Sequence, residues 1–145
     1  MKAALLLACL GAMIVQAADT PKQVVQRHVA MVQKGDVNAV MADFAADAVL
    51  VASPGVFSGT RPASEATATD GNKNIRKFYE ILTDKDHFAA AKSMVSQIEQ
   101  LSDEVALLHW KQFPGTPQEV SGLDIFVVRN GKVAIQSIFV DPPKH

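Results

Sequence analysis

The chain is poor in the residues that usually advertise chemistry. It has one cysteine, Cys9, one tryptophan and one tyrosine in 145 residues. A lone cysteine excludes an intrachain disulfide and any thiolate metal cluster. No basic cluster is present: 14 Lys and Arg stand against 15 Asp and Glu, for a net charge of -1. Nucleic acid is therefore not an expected partner. The four histidines, His28, His87, His109 and His145, show no HExxH or other metal-ligand spacing, so neither a metal nor a cofactor is expected. Beyond the N-terminus there is no apolar run long enough for a membrane, no internal repeat and no second domain.

What is present begins with a leader pattern. Met1-Lys2 gives a positive start, and residues 3–15 are apolar or small, a run too short to span a bilayer. Val15-Gln16-Ala17 supplies small residues at the two positions a signal peptidase reads. This predicts a secretory signal over residues 1–17 and a periplasmic or secreted domain over residues 18–145, with no membrane contact after cleavage. The alternative is a buried N-terminal helix. The exported form would carry no cysteine, which also excludes a thiolate nucleophile. Roughly 125 residues suffice for one domain with its own core.

Two helices and a strand follow. Thr20, Pro21 and Gln23 form a helix start with a capping box. Val25, His28, Val29 and Val32 then share one helical face, so His28 lies inside an apolar stripe. Lys34-Gly35 ends this helix and Asp36 can cap the next, striped by Val37, Val40, Met41 and Phe44. Residues 48–52 read as a buried strand. Residues 53–71 hold Pro54, Gly55, Gly59, Pro62 and Gly71 and read as a long loop, with at most a short strand at Val56-Phe57. Loops of this length are often lids or disordered. A third helix starts near Asn72, striped by Ile75, Phe78, Tyr79 and Leu82.

Four strands complete the pattern, at about residues 90–100, 104–113, 119–129 and 132–141. Asn130-Gly131 is a two-residue hairpin signal between the last two. Alternation puts Asp124, Phe126 and Val128 on one face and Leu123, Ile125 and Val127 on the other. Both faces are apolar. One should line a core or pocket, which leaves helices or a second subunit, as in a homodimer through the outer sheet face, for the other. The expected fold class is α+β: a cone-shaped, curved antiparallel sheet closed at one end by three N-terminal helices.

Four motifs carry a family resemblance: VVQRHVAMVQKGD, MADFAADAV, GNKNIRKFYEIL and GLDIFVVRNGKV. Together they make the chain resemble the nuclear transport factor 2-like superfamily, which includes SnoaL-type polyketide cyclases and ketosteroid isomerases. The resemblance implies a pocket inside the cone. In ketosteroid isomerases an Asp base works with an oxyanion hole made of a Tyr and a protonated Asp. By resemblance the oxyanion Asp falls on Asp124, the oxyanion Tyr on His28, and an aromatic pair on Phe78-Tyr79. The base should follow the strand after the second helix, where this chain has Ala52-Ser53.

Each candidate has a structural reading beside the functional one. His28 is either a hydrogen-bonded core residue or a pocket residue. Asp124, between Leu123 and Ile125, is costly to bury unless protonated, paired or hydrogen-bonded, which favours a pocket role. Tyr79 reads as core with one partner for its hydroxyl. His109 and Trp110 must face opposite sides, and the alternation does not say which faces the pocket; Trp110 reads as packing or a subunit contact. Asp36 and Asp47 read as helix-end residues, and His87 and His145 as solvated.

Two functions survive. One is an isomerase, lyase or cyclase acting on a small, mostly apolar carbonyl compound, with His28, Asp124 and Tyr79 as the catalytic set. In it His28 and Asp124 bind an oxyanion, or pair as a dyad with His28 as base. The other is a non-catalytic ligand-binding or dimerisation module in which His28 and Asp124 plug the cavity against each other.

Overall fold

The computed structural model describes residues 18–53 and 67–142. The expected leader, the expected strand at Val56-Phe57 and His145 lie outside the described residues. Helix α1 (Pro21–Lys34) starts as its capping chemistry requires: Thr20 Oγ1 accepts from Gln23 N, and the Gln23 side chain accepts from Thr20 N. Gly35 closes it in the left-handed region, at φ 72°, where a side chain would be strained. Asp36 accepts from Ala39 N at 3.0 Å and caps α2 (Val37–Ala42).

The remaining elements are β1 (Phe44–Ala52), β2 (Thr67–Asp70), α3 (Gly71–Leu82), α4 (Phe88–Ser93), β3 (Val95–Gln100), β4 (Val105–Gln112), β5 (Val120–Arg129) and β6 (Lys132–Val140). They form one curved, unclosed sheet in the order β2-β1-β6-β5-β4-β3. The class is α+β, with α1 packed over β3, β4 and β5 and α3 over β1 and β2. The hairpin at Asn130-Gly131 has both residues at positive φ, 52° and 71°, as a tight two-residue turn needs.

Local details depart from the sequence reading. β1 and β6 pair in parallel, while every other neighbouring pair is antiparallel. The end of the expected loop is strand β2, which pairs with the end of β1. A fourth helix, α4, occupies the start of the strand expected from residue 90, which begins only at Val95. Phe44 and Asp47 belong to β1 rather than to the second helix or its end. His87 is half-buried and paired with Asp84 at 2.8 Å, not freely solvated.

The core lies between the helices and the inner sheet face. Val24, Val25, Leu50, Ile75, Tyr79 and Phe126 are fully or almost fully buried there. Each large apolar side chain so buried contributes roughly 1.5–3 kcal/mol. Strand phase does the sorting: along β5, Gly122, Asp124, Phe126 and Val128 face inward while their neighbours are half-buried on the outer face.

Candidate functional site

A cavity of about 240 Å³ opens between α1, α3 and the inner face of β4, β5 and β6. His28, Tyr79 and Asp124 all lie on its wall. Most of the rest is apolar, including Val29, Phe78, Leu108 and Ile138. Among the described lining residues Asp124 is the only carboxylate, and none is Lys or Arg. Three further polar residues, which the sequence reading did not select, line the wall: Trp110, Gln112 and Gln136.

All of these polar side chains but Gln112 form one hydrogen-bonded chain. His28 Nε2 lies 2.9 Å from the Tyr79 hydroxyl, which donates to Gln136 Oε1 at 2.7 Å. Gln136 Nε2 donates to Asp124 Oδ2 at 2.8 Å, and Trp110 Nε1 donates to Asp124 Oδ1, also at 2.8 Å. His28 and Asp124 therefore do not hold each other. The dyad and the plug both need that contact, and Tyr79 and Gln136 stand between them.

The sheet register explains how Asp124 gains its partners. Asp124 is paired with Leu108 on β4 and Ile138 on β6. Trp110 and Gln136 are thus its diagonal neighbours on the inner face, within reach of long side chains. Trp110 sits opposite Gly122, and a Cβ there would collide with the indole ring and with the Phe139 carbonyl oxygen. The bare backbone at Gly122 is what lets the indole lie across β5 and reach the carboxylate. This settles the choice on β4: Trp110 faces the cavity and His109 is exposed.

Burial shifts the ionisable groups in different directions. His28 is ringed edge-on by Phe44, Tyr79 and Phe126, with centroids 5.3–5.6 Å away. Burial first, and then the charge of Arg27, lower its pKa to about 3, so the imidazole is neutral at physiological pH. Burial raises the Tyr79 hydroxyl well above its ordinary value, with the Asp124 charge adding to it. Asp124, 6% exposed, is raised to about 7 by burial, against the opposing pull of its hydrogen bonds from Gln136 and Trp110. A carboxyl group that titrates near neutrality, on a cavity wall, is suited to giving and taking a proton. The place expected for a base holds Ala52, which is buried, and Ser53, whose Oγ accepts from Val140 N at 3.3 Å.

The SnoaL-like domain model matches residues 25–136. The chain belongs to the SnoaL-like domain family. No curated protein matches it. Solved structures share its fold at low identity. An NTF-2 like protein from Burkholderia xenovorans is 15% identical, with a TM-score of 0.62 over 85% of this chain and 84% of that one. A Sinorhizobium meliloti protein provisionally assigned as a polyketide cyclase is 21% identical, with a TM-score of 0.55 over 81% of this chain and 94% of that one. A de novo designed protein with a curved β-sheet is 17% identical, with a TM-score of 0.61 over 83% and 84%. The fold is thus nuclear transport factor 2-like. That a designed sheet shares it shows why a SnoaL-like domain must be read from its site rather than its architecture.

Proposed function

We propose that this SnoaL-like domain binds a small, mostly apolar carbonyl compound and exchanges a proton with it through Asp124, as an isomerase, lyase or cyclase does. One observation carries the reading: a buried carboxyl group on an apolar cavity wall, held by two neutral N–H donors and no cation. Protonated, Asp124 donates to a carbonyl oxygen and stabilises negative charge developing there. Ionised, it accepts from a hydroxyl or enol. The likeness to a protein provisionally assigned as a polyketide cyclase supports chemistry of this type.

A second reading keeps the pocket without the reaction, as a ligand-binding or dimerisation module. It is favoured by the Ala52-Ser53 position, since neither side chain can abstract a carbon-bound proton. On either reading we take residues 1–17 as an export signal. We take the outer sheet face, with Ile135 and Phe139 exposed, as the surface for a second copy.

Native mass spectrometry of the purified protein identifies any small molecule that co-purifies. That compound is then incubated with the protein in deuterated water. Deuterium gained beside the carbonyl, and lost in Asp124→Asn, establishes the enzyme. Tight binding without exchange establishes the module. A protein that carries no molecule and binds no cyclic ketone from a fragment panel contradicts both. With no base at Ala52-Ser53, the protein should not isomerise a Δ5-3-ketosteroid at an enzyme-like rate, because a positioned general base contributes ~10²–10⁴-fold. Rapid growth of enone absorbance, abolished by Asp124→Ala, would overturn that expectation.

A further inference from the structure

Four hydrogen bonds cross the cavity wall from α1 to β4, through His28, Tyr79, Gln136, Asp124 and Trp110. Chemistry fixes the two ends. The Trp110 indole N–H can only donate, so Asp124 Oδ1 accepts. At the other end, His28 Nδ1 is buried and has no hydrogen-bond partner among the described residues. A neutral imidazole carries one N–H. On Nδ1 that N–H would be a buried donor without an acceptor, a rarer condition than an unused lone pair. On Nε2 it donates to the Tyr79 hydroxyl oxygen. The Tyr79 proton then goes to Gln136 Oε1, and the Gln136 amide turns an N–H to Asp124 Oδ2.

We infer that the unpartnered Nδ1 of His28 sets the direction of the whole chain, and that Gln136 is the positioning residue that carries this direction to Asp124. Every donor then runs toward the carboxylate. His28 and Tyr79 have no proton left to offer a ligand. Each Asp124 oxygen keeps a lone pair beyond the one that Trp110 or Gln136 fills. A proton or a ligand oxygen meets the group there. Resting on the function proposed above, this makes the ligand's polar atom an uncharged oxygen: a hydroxyl or enol when Asp124 is ionised, a carbonyl when it is protonated. A carboxylate ligand would be buried beside Asp124 with no Lys or Arg on the described wall to offset it.

The opposite direction also completes the four bonds between these side chains, but leaves a buried Nδ1–H without an acceptor. Asp124 would donate to Gln136 Oε1, Gln136 to Tyr79, and Tyr79 to His28 Nε2, with the imidazole proton on Nδ1. Asp124→Asn forces that reversal. Its amide oxygen must face the Trp110 N–H, so its amide nitrogen faces Gln136, whose own amide must turn over. The imidazole proton then moves, two residues farther along the chain.

The test is the His28 tautomer, read from the ¹⁵N resonances of the imidazole ring. The wild type should carry its proton on Nε2 both above and below pH 7, and Asp124→Asn should shift it to Nδ1. In a Gln136→Met background, adding Asp124→Asn should leave the tautomer as it was. A wild type protonated at Nδ1 overturns the direction, and this needs no variant to fold. An unshifted tautomer in Asp124→Asn, or a shift that persists in the Gln136→Met background, overturns the role of Gln136. The tautomers do not depend on any ligand, so failure of the proposed function would leave these results unchanged.

Discussion

Two adjacent residues of α1 lead to two buried carboxylates with opposite fates. Arg27 Nε donates to Asp43 Oδ1 at 2.7 Å, and the same guanidinium reaches Asp19. His28, one residue on, starts the chain that ends at Asp124. Asp43 is 2% exposed and Asp124 6%. Burial raises the pKa of both. At Asp43 a permanent cation opposes the rise, whereas at Asp124 only neutral donors do. The first carboxylate can therefore stay ionised as a brace between α1 and the turn into β1. The second is left poised between its two states on a cavity wall. Burial alone does not make a carboxylate reactive; burial without a cation and beside a cavity does.

The sharpest way to break this contrast is to remove the cation. Arg27→Leu leaves Asp43 buried without its hydrogen-bonded cation, with only the charge of Lys132 acting on it. The expected loss is about 2–3 kcal/mol at neutral pH, below that of a fully buried pair because Arg27 is 40% exposed. Removing Arg27 pushes the Asp43 pKa higher still, so the folded state holds that proton more tightly than the unfolded chain does. The loss should therefore shrink as pH falls. Urea melts at several pH values measure it; an equal loss at every pH would mean that Asp43 is not the group involved.

The matching change at the other site is Asp124→Asn. The folded pKa of Asp124 is about 7, against an ordinary value of 3.8. Between these values the folded state binds more protons than the unfolded one, so this group lowers stability as pH rises through that window. The asparagine cannot ionise. Its stability relative to wild type should climb by roughly 3 kcal/mol from pH 4 to 7 and level off about a unit higher. A flat difference across the window would place the Asp124 pKa near its ordinary value.

A smaller effect should come from Gly122→Ala. The added methyl collides with the indole and with a strand carbonyl, an overpacking cost of about 1–3 kcal/mol. If it also pushes the indole off Asp124, the carboxyl group loses a donor to its ionised form and its pKa should rise further. Lost stability with an unmoved Asp124 titration would mean that the indole stays in place and the backbone gives way instead.

Much of this site was legible in the sequence, and the remainder was hidden for identifiable reasons. The helical stripe put His28 inward, and the alternation of β5 put Asp124 on the face of Phe126 and Val128. Gln136 was missed because the register shifts between Val127 and Val128 opposite β6. Counted from the Asn130-Gly131 turn, the inward face of Val133 would continue to Ile135, yet the shift turns Gln136 and Ile138 inward instead. Trp110 was undecided because His109 and Trp110 both suit either face; the glycine opposite it on β5 was the available signal. The parallel pairing of β1 with β6 joins residues almost ninety positions apart, such as Phe44 and Val133, and no local pattern encodes it.

Asp124 should titrate near neutrality because it is buried among neutral donors, while Asp43 has a guanidinium. The ¹³C resonance of the Asp124 carboxyl carbon, followed from acid to alkaline pH and assigned with Asp124→Asn, tests it directly. The expected midpoint is about 7. A midpoint near the ordinary aspartate value of ~4 would contradict it, and with it the reading of Asp124 as the group that exchanges a proton in the cavity.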